Sequence, residues 1–493
     1  MFNKIFHPFL FSLFPILFIY QFNINEVSVS DIFIPLILSI IPPFLIWIGF
    51  KLFLDSKKSA LITSTIILSF IIYSNLHSYL LNQQNQFLQF FGKHSILGMI
   101  FLLISIVIII IIIKKNSISN LNPPLNVMSI TIVGIILVSI FAYQLSNPID
   151  YGVIESIQNE KIIFPTQFKS DIYFLIFDEF AGINTLKLDF NHDITIFEKE
   201  LKKLNFQIPK HSYSNYPNTE LSLPSFLNLK YLDFLTNELG VDSKDFRIPQ
   251  KMTSENIAFK ILKNNGYDIT TFYAGMGHEQ DVRLIDEKLC NSDIFNPDLK
   301  KNFVLTYLPI TFFNEQLLEN NQRQKLECFF NTIESNYFEN SRSDFIYAHL
   351  RLPHEPFIYD ENGSPTNNLK DDSAYLSQLK FTQNKMLEII KNIQDKSPDS
   401  VIIIMSDHGY RNQINWEKPE EIDFIRGFNN ITYLYFPNTD YLIPNEITAV
   451  NIFRILFNVY FDSNFEILDN RNIWYSPDRP FDFIEIENSF KEI

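Results

Sequence analysis

Five long apolar runs lie within the first 150 residues, and they constrain the fold more than any other feature of the sequence. A helix that crosses a bilayer needs about 20 mostly apolar residues, so each run is a candidate membrane span. The first and third runs are short, and as spans they would be tilted or flanked by snorkelling lysines. A cleaved signal peptide is the alternative for the first run, but four more apolar runs follow and no small-residue cleavage site is present. The sequence therefore predicts five transmembrane helices, at about Pro8–Phe22, Ile32–Phe50, Ala60–Ser74, Ser95–Ile113 and Val127–Leu145.

Lysines are distributed unevenly between the loops that join these runs. One set of loops carries six of the seven lysines that precede residue 151, whereas the alternate loops carry Lys93 together with Glu26 and Asp31. The positive-inside rule places the lysine-rich loops in the cytoplasm. We therefore expect a multi-pass protein of a bacterial inner membrane whose chain is extracytoplasmic after about Gln144. The six lysines are Lys4, Lys51, Lys57, Lys58, Lys114 and Lys115.

The part of the chain after residue 150 is acidic, with 33 basic and 51 acidic residues. This balance argues against nucleic acid as a partner, because binding a phosphate backbone needs a basic surface. Cys290 and Cys328 are the only cysteines, which excludes a disulfide framework and a cysteine-rich zinc site. The sequence leaves open whether these two form one disulfide or remain as buried thiols.

Apolar, β-rich runs alternate with amphipathic stretches after a polar linker at residues 147–170. Strands that alternate with helices favour an α/β fold, with a mainly parallel sheet sandwiched by helices. We therefore predict a transmembrane domain at residues 1–146 and an α/β domain at residues 171–493. The predicted strands are Asp171–Phe177, Tyr267–Tyr273, Phe345–Leu350 and Val401–Met405, and the predicted helices are Ile194–Leu204, Asn256–Asn264, Gln322–Glu339 and Ala374–Gln394.

Three polar clusters follow directly on predicted buried strands. Asp178 and Glu179 end the run FLIFDEF, His354 lies in LRLPHEPF, and IIIMSDHG contains Asp407 and His408. Carboxylates and imidazoles are costly to bury without a partner, and the chemistry of parallel sheets lies at the carboxyl ends of strands. Two aspartates and a histidine that converge there supply oxygen and imidazole ligands, which suit Zn²⁺ or Mn²⁺.

A fourth cluster, Ser214–Asn228 (SNYPNTELSLPSFLN), places hydroxyl groups near the start of a predicted helix. Pro217 ends an extended piece, and Thr219–Leu227 can form a helix whose N-cap lies at or beside Thr219. A hydroxyl at that position lies in a positive backbone field, which favours phosphate and an alkoxide. Ser222 lies one turn later on much the same face and is the competing nucleophile.

Each cluster taken alone also has an ordinary structural interpretation. The DE and SDHG segments fit strand-to-loop turns, and Thr219 fits a plain helix N-cap. His349, in the middle of a strand, fits a core histidine, and Arg411 fits a surface residue. The functional hypothesis depends on the four clusters together and on their order along the chain.

That order, a strand followed by DE, then NT-x-x-S-x-P, PHEPF and SDHG, resembles the alkaline phosphatase/sulfatase superfamily. The resemblance covers about residues 171–460. The five spans and the external catalytic domain look most like the lipid A phosphoethanolamine transferases and, more distantly, the lipoteichoic acid synthases. The resemblance implies an alkaline-phosphatase-like fold and one divalent metal ion, Zn²⁺ or Mn²⁺.

The resemblance also implies roles for individual residues. Thr219 takes the place of the family's nucleophilic threonine, three residues before Ser222 and five before Pro224. His354 resembles the histidine that contacts the phosphate or the leaving group. The implied metal ligands are Asp178, Thr219, Asp407 and His408, with Glu179 as a further candidate. The candidate substrate-binding residues are Ser222, His349 and Arg411.

The expected function is that of a transferase. Thr219 would attack a membrane phospholipid, and a phosphoethanolamine- or phosphoglycerol-type group would pass through a phospho-threonine to an envelope glycan or lipid. A sulfatase needs Cys or Ser in a C/S-x-P-x-R motif, and here Phe226 replaces the arginine. A phosphatase or phosphodiesterase and a catalytically silent envelope binding protein remain as alternatives. The transferred group stays open, because the cysteines that surround the threonine in phosphoethanolamine transferases are absent, with Ser225 at one such position.

Overall fold

The computed structural model of the protein describes residues 4–25, 29–81, 83, 85–148, 163, 164, 166, 168–272, 284–290, 314–335, 337, 338, 343–369 and 372–487. Residues 4–148 belong to a first compact unit, and the described residues between 163 and 290 and from 318 onward belong to a second. The predicted linker at residues 147–170 lies largely outside the described residues.

The described part of the first unit is helical. Its elements are α1 (His7–Phe22), α2 (Val29–Lys51), α3 (Ser56–Leu81), α4 (Gln86–Gly92), α5 (His94–Lys114), a 3-10 helix at Asn116–Leu121, and α6 (Asn122–Ser146). Each of the five apolar runs lies within one of these helices. α1 is apolar but has only 16 residues. Among the described residues, four segments are long and apolar enough to cross a membrane: Ile32–Lys51, Ser56–His77, His94–Lys114 and Asn116–Ser146.

A buried polar network joins the start of α1 to α3 and α6. The His7 imidazole lies 2.6 Å from Ser64 Oγ through Nδ1 and 2.9 Å from Asn122 Oδ1 through Nε2. Asn126 Oδ1 accepts the backbone N–H groups of Phe6 and His7 at 2.9 and 3.0 Å. Polar groups in apolar surroundings stabilise helix packing only where each finds a partner. The network therefore fixes the packing of these three helices.

The second unit contains twelve strands in its described part. They are β1 (Ile172–Phe177), β2 (His211–Tyr213), β3 (Asp268–Phe272), β4 (Glu287–Leu289), β5 (Asp344–Leu350), β6 (Phe357–Tyr359), β7 (Pro365–Leu369), β8 (Val401–Met405), β9 (Thr432–Tyr435), β10 (Glu446–Thr448), β11 (Asn472–Ser476) and β12 (Arg479–Ile486). Six of them form one sheet in the order β4-β3-β5-β1-β8-β9. All neighbours in it are parallel except β9, which pairs antiparallel with β8. The predicted α/β fold with a mainly parallel sheet is confirmed.

Helices cover both faces of this sheet. Those that contribute to the two cores beside the sheet are α7 (Ile183–Phe190), α8 (Thr195–Lys203), α9 (Thr219–Leu227), α12 (Ile257–Asn264), α13 (Asn314–Glu334), α14 (Asp372–Lys396) and α16 (Ile452–Tyr460). The remaining described helices are α10 (Phe234–Leu239), α11 (Arg247–Ser254) and α15 (Glu421–Phe428). Every residue of β1 is buried, because alternate side chains enter two different cores. A continuous apolar run is what a strand with helices on both faces requires.

The position of β1 in the sheet determines where polar loops meet. β1 lies between β5 and β8, with Phe177 paired to Leu350 and Ile176 paired to Met405. Because the three strands are parallel, their carboxyl ends lie at one edge of the sheet. The loops that follow these strands therefore begin next to one another.

Cys290 and Cys328 form a disulfide bond that links the segment after β4 to α13. The two cysteines are 38 positions apart in the sequence, and neither is free. The structure thereby resolves the alternative that the sequence left open.

Candidate active site

β1 delivers two carboxylates to the carboxyl edge of the sheet. Asp178 and Glu179 follow it directly, and both are buried. Glu179 has a φ of 61°, in the left-handed region that residues with a side chain rarely adopt, so the chain turns sharply there. The turn is held by the backbone N–H of Phe180, which donates to Ser406 Oγ at 2.9 Å. The two adjacent carboxylates consequently have different partners.

β8 delivers Asp407 and His408, both completely buried. Ser406 Oγ donates to the backbone carbonyl of His408 at 2.7 Å. His408 Nδ1 lies 2.7 Å from the carbonyl of Gly409 and donates to it, which leaves the lone pair on Nε2. That Nε2 lies 3.4 Å from Asp407 Oδ2 and 3.6 Å from Asp178 Oδ1. The imidazole therefore faces the two aspartates with its acceptor nitrogen.

α9 brings the Thr219 hydroxyl to the same place. The preceding Asn218 is extended, and its side chain accepts no capping hydrogen bond from the helix. Thr219 Oγ1 donates to Asp407 Oδ2 at 2.6 Å and lies 3.2 Å from His408 Nε2. The hydroxyl thus lies at the positive end of the helix, where backbone N–H groups are not taken up by the N-cap side chain.

Ser222 and Phe226, one and two turns further along α9, have packing roles in the structure. Ser222 Oγ is buried and donates to the backbone carbonyl of Asp407 at 2.7 Å, which ties α9 to the SDHG loop. Phe226 is completely buried, and its ring stacks on Phe174 and Phe453 at centroid distances of 6.0 and 6.5 Å.

The aspartates and His408 form a group that fits a metal ion. Asp178, Asp407 and His408 each bring one ligand atom to within 4.8 Å of the others. Asp178 Oδ1 is buried and has no hydrogen-bond partner among the described residues. An unsatisfied buried carboxylate oxygen is costly, and a cation would satisfy it. Three such ligands with the Thr219 hydroxyl as an exchangeable contact match the donor set of a catalytic Zn²⁺ site and also suit Mn²⁺.

The protonation states of this group follow from its burial. Burial and the nearby Asp407 raise the pKa of Asp178 above its usual range. Burial disfavours ionised Asp407 as well, but the imidazoles of His408 and His349 outweigh it and hold the pKa of Asp407 below its usual range. Burial lowers the pKa of His408 to about 4, so the imidazole is neutral near pH 7. Neutral imidazole is the form that binds metal.

The carboxylate of Glu179, at the sharp turn after β1, contacts Arg411 and His354. Glu179 Oε1 accepts the backbone N–H of Arg411 at 2.8 Å and lies 3.9 Å from its guanidinium Nε. Glu179 Oε2 lies 3.8 Å from His354 Nε2. Burial raises the pKa of Glu179 to about 8, against the opposing effect of Arg411. Burial lowers the pKa of His354 to about 3, so its imidazole is neutral near pH 7.

His349 lies within β5 and is buried, as its mid-strand position indicates. Its Nε2 lies 3.9 Å from Asp178 Oδ2 and 3.9 Å from Asp407 Oδ2. The side chain therefore faces the carboxylate pair from the strand side.

Three residues that the sequence did not single out shape the site. Ser406 joins the loops after β1 and β8, and it belongs to the recognisable SDHG segment. A Cβ on Gly409 would lie 2.0 Å from the backbone oxygen of Arg426, so only glycine fits there. Tyr375 on α14 donates from its hydroxyl to the backbone oxygen of Glu179 at 2.9 Å. No local pattern identifies Tyr375, because its role depends on the packing of α14.

Fold and site together define an α/β protein whose carboxylate, imidazole and hydroxyl groups converge at the carboxyl ends of parallel strands. The family model described as Sulfatase matches residues 176–425, half of the chain. The chain belongs to the sulfatase family, within the alkaline phosphatase/sulfatase superfamily, and this membership supports an enzyme that acts on sulfate or phosphate esters. No curated protein sequence matches the chain.

Several solved structures resemble the chain at low sequence identity. The C-terminal periplasmic domain of EptC from Escherichia coli is 13% identical, with a TM-score of 0.42 over 65% of this chain and 94% of that one. The C-terminal periplasmic domain of phosphoethanolamine transferase EptC from Campylobacter jejuni is 19% identical, with a TM-score of 0.39 over 61% and 92%. The lipoteichoic acid synthase LtaP from Listeria monocytogenes is 14% identical, with a TM-score of 0.38 over 65% and 80%.

Proposed function

We propose that the protein is a metal-dependent membrane transferase that moves a phosphoethanolamine- or phosphoglycerol-type group from a phospholipid to an envelope glycan or lipid. The observation that carries the proposal is the placement of Thr219. Its hydroxyl donates to Asp407 Oδ2 at 2.6 Å and lies 3.2 Å from His408 Nε2, at the start of α9. A hydroxyl in contact with two candidate metal ligands is placed as a metal-activated nucleophile requires.

Asp178, Asp407 and His408 would hold one divalent ion, Zn²⁺ or Mn²⁺, with Thr219 as the exchangeable contact. When bound, the ion lowers the pKa of the hydroxyl and offsets the negative charge of a phosphodiester. Glu179 is retained as a further candidate ligand, although its carboxylate contacts Arg411 and His354. The two buried aspartates supply the negative charge that a divalent cation needs, and the neutral imidazole supplies a lone pair.

Arg411 and His354 are assigned to the phosphate and the leaving group. The Arg411 side chain is 25% exposed, and it interacts electrostatically with Asp178 as well as with Glu179. A guanidinium beside the metal ligands attracts an anionic substrate and matches the geometry of phosphate oxygens. His354 Nδ1 lies 2.6 Å from the carbonyl of Glu355, so its Nε2 is directed away from that bond and into the site.

The reaction proceeds in two steps that balance without a redox partner. Thr219 Oγ1 forms a bond to phosphorus, and the bond from phosphorus to the lipid alcohol oxygen breaks. The Thr219 proton, directed at Asp407 Oδ2, ends on the departing diacylglycerol. An acceptor hydroxyl then forms the new bond to phosphorus, the bond to Thr219 breaks, and Thr219 regains a proton.

The same structure argues against a sulfatase that uses Ser222. Ser222 Oγ is committed to the carbonyl of Asp407, and Phe226, at the arginine position of the sulfatase motif, is stacked in the core. Neither side chain is available for sulfate. We therefore propose phosphoric rather than sulfuric esters as substrates.

Mass spectrometry of the full-length protein in detergent tests the proposal. After incubation with phosphatidylethanolamine or phosphatidylglycerol, we expect the mass of phosphoethanolamine or phosphoglycerol on the peptide that contains Thr219, and about one divalent ion per chain. The Ser222→Ala variant is the matched control and should carry the same adduct. An adduct on Ser222 would overturn the mechanism. A chain with neither adduct nor metal would indicate a silent binding protein, and metal with lipid hydrolysis but no acceptor product would indicate a phosphodiesterase.

We propose the following organisation for the whole chain: a transmembrane domain at residues 1–146, a linker at residues 147–170 and an extracytoplasmic catalytic domain at residues 171–493, in a bacterial inner membrane. The four long apolar helices and the lysine distribution support this organisation. Membrane anchoring suits a phospholipid donor, because it confines enzyme and donor to one surface.

A further inference from the structure

An aromatic stack with one partly exposed member lies in the second unit. The Trp416 and Trp474 rings are stacked, with centroids 4.9 Å apart and planes at 23°. The Tyr475 ring lies 6.1 Å from that of Trp416. Trp474 and Tyr475 are each 3% exposed, whereas Trp416 is half-buried. Trp416 is therefore the member of the stack that a ligand can reach.

This stack lies beside the start of α9. A Cβ placed on Gly427 would come within 3.0 Å of Pro217 Cβ and 3.1 Å of Trp474 Cζ3, so these two side chains are close neighbours. Pro217 is two residues before Thr219 in the sequence. The Tyr475 hydroxyl interacts electrostatically with both Glu220 and Arg411. The aromatic stack therefore lies close to the segment that carries the reacting hydroxyl.

Glu220 follows the nucleophile and has acceptor capacity to spare. Its side chain is half-buried, and no hydrogen bond or ion pair within 4.0 Å reaches it from the described residues. Arg411, which interacts electrostatically with Glu220, has its backbone N–H and Nε directed to Glu179. A half-buried carboxylate without a donor gains from hydroxyl groups that donate to it.

We propose that Trp416 and Glu220 form the acceptor subsite, and that the acceptor is a sugar hydroxyl of a glycan. This inference rests on the proposed transferase function. A pyranose ring presents a C–H face that packs on an aromatic ring and hydroxyl groups that donate to a carboxylate. An acyl chain offers no donor, and burying Glu220 against it would be costly. In the second step, the sugar oxygen bonds to phosphorus, and its proton passes to the departing Thr219 oxygen.

A two-stage labelling experiment tests the subsite. The full-length enzyme in detergent is first incubated with a ³²P-labelled phospholipid, and the label on Thr219 is measured. The washed enzyme is then given the total envelope extract of the expressing bacterium. The label is measured in three fractions: monosaccharides released by acid hydrolysis, glycan-free lipid, and water-soluble phosphate. We expect sugar phosphate as the product. Trp416→Ala and Glu220→Gln should each lower the ratio of transfer rate to loading rate at least ten-fold.

Controls separate this inference from general damage and from the proposed function. Glu421→Gln removes an exposed carboxylate from the first turn of α15 and should leave the ratio unchanged. Trp416→Phe keeps an aromatic face and is the second variant in case Trp416→Ala is poorly folded. It should recover part of the ratio of transfer rate to loading rate. The proposed subsite is wrong if Trp416→Ala and Glu220→Gln both load normally and pass the label on at the wild-type rate. It is also wrong if the label enters glycan-free lipid or water instead of sugar. A wild-type enzyme that never loads overturns the transferase itself, and the subsite falls with it.

Discussion

Two hydroxyl groups on α9 lie one turn apart, and their contacts separate their expected roles. Thr219 Oγ1 contacts the Asp407 carboxylate, whereas Ser222 Oγ contacts the Asp407 backbone carbonyl. Thr219→Ala should lower turnover by roughly 1,000-fold or more, because it removes the proposed nucleophile. Thr219→Ser should retain part of the activity, since the hydroxyl survives. The measurement is turnover with phosphatidylethanolamine and phosphatidylglycerol, alongside metal content, which should be largely retained in both variants.

Ser222→Ala is the matched comparison for that prediction. It should keep turnover within about ten-fold of the wild type and destabilise the domain by about 1–3 kcal/mol, because the carbonyl of Asp407 loses its donor. A Thr219→Ala enzyme with normal turnover, or a Ser222→Ala enzyme without any, would reverse the two assignments.

Gly409 is required by a close approach rather than by its backbone angle. A side chain there would meet the backbone oxygen of Arg426 at 2.0 Å and that of Asn429 at 2.8 Å. Gly409→Ala must therefore shift the loop that carries His408, and we expect metal affinity to fall about 10- to 100-fold, as for other changes that misplace a ligand. Isothermal titration with Zn²⁺ measures it. Gly134→Ala, at a helical glycine with nothing within 4 Å, is the control and should bind as the wild type does.

At the scale of residues, the sequence predicts which side chains gather but not how each is directed. Asp178 and Asp407 follow continuous apolar runs, and parallel strands bring such positions together. Glu179 is adjacent to Asp178, yet its left-handed backbone turns it toward Arg411. A positive φ at a residue other than glycine cannot be predicted from the identity of that residue. Arg411 could not be distinguished from a surface residue, because its position depends on the path of a whole loop.

At the scale of elements, we expect the half-buried carboxylate of Asp171, directly before β1, to make the stability of the sheet depend on pH. Asp171 Oδ1 accepts the backbone N–H of Asp344 at 2.9 Å. Burial raises the pKa of Asp171 to about 6, against the opposing effect of that hydrogen bond. The folded state then binds the proton more tightly than the unfolded state. The contribution of Asp171 to stability is therefore lost as pH rises from about 4 to about 6.

Asp171→Asn should remove this dependence, because the amide keeps an oxygen for Asp344 and carries no charge. The apparent Tm of the variant should match that of the wild type near pH 4 and exceed it by a few degrees at pH 7, since about 2 pKa units correspond to at most about 3 kcal/mol. Thermal scans in detergent between pH 4 and pH 8 measure it. The control is Asp395→Asn, at an exposed position on α14, and its curve of Tm against pH should be parallel to that of the wild type. Identical curves for Asp171→Asn and the wild type would contradict the prediction.

The elements that the sequence predicts are those with the strongest periodic or apolar pattern. The four predicted strands correspond to β1, β3, β5 and β8, within one or two residues at each end. β4 and β9 have only three and four residues, too few for a pattern, and they pair because the sheet edges offer hydrogen-bonding partners. α13 begins at Asn314 rather than at the predicted Gln322. Its first eight residues, NEQLLENN, are mostly polar, and their two adjacent leucines do not make an apolar stripe at helical spacing.

At the scale of the whole molecule, the number of membrane spans does not decide on which side of the membrane the second unit lies. α1, with 16 residues, is about 24 Å long, so it is shorter than the hydrocarbon core, which is about 30 Å thick. The other four apolar segments are long enough. The lysine-rich loops after α2 and after α5 have the same orientation whether or not α1 crosses the membrane. α1 therefore determines only the side on which Lys4 lies.

A topology experiment tests this separation. Reporters active only outside the cytoplasm should be active when fused after Asp150 and inactive when fused after Lys58 or Lys115, because the lysines of these two loops favour the cytoplasm. Deleting residues 4–22 removes Lys4 and α1 and should leave these three results unchanged, because α3, α5 and α6 keep their lysine-flanked ends. An inactive fusion after Asp150 in the full chain would place the catalytic unit in the cytoplasm and deprive it of an outer-leaflet phospholipid. If only the shortened chain lost that activity, α1 would be a true span that orients all those after it.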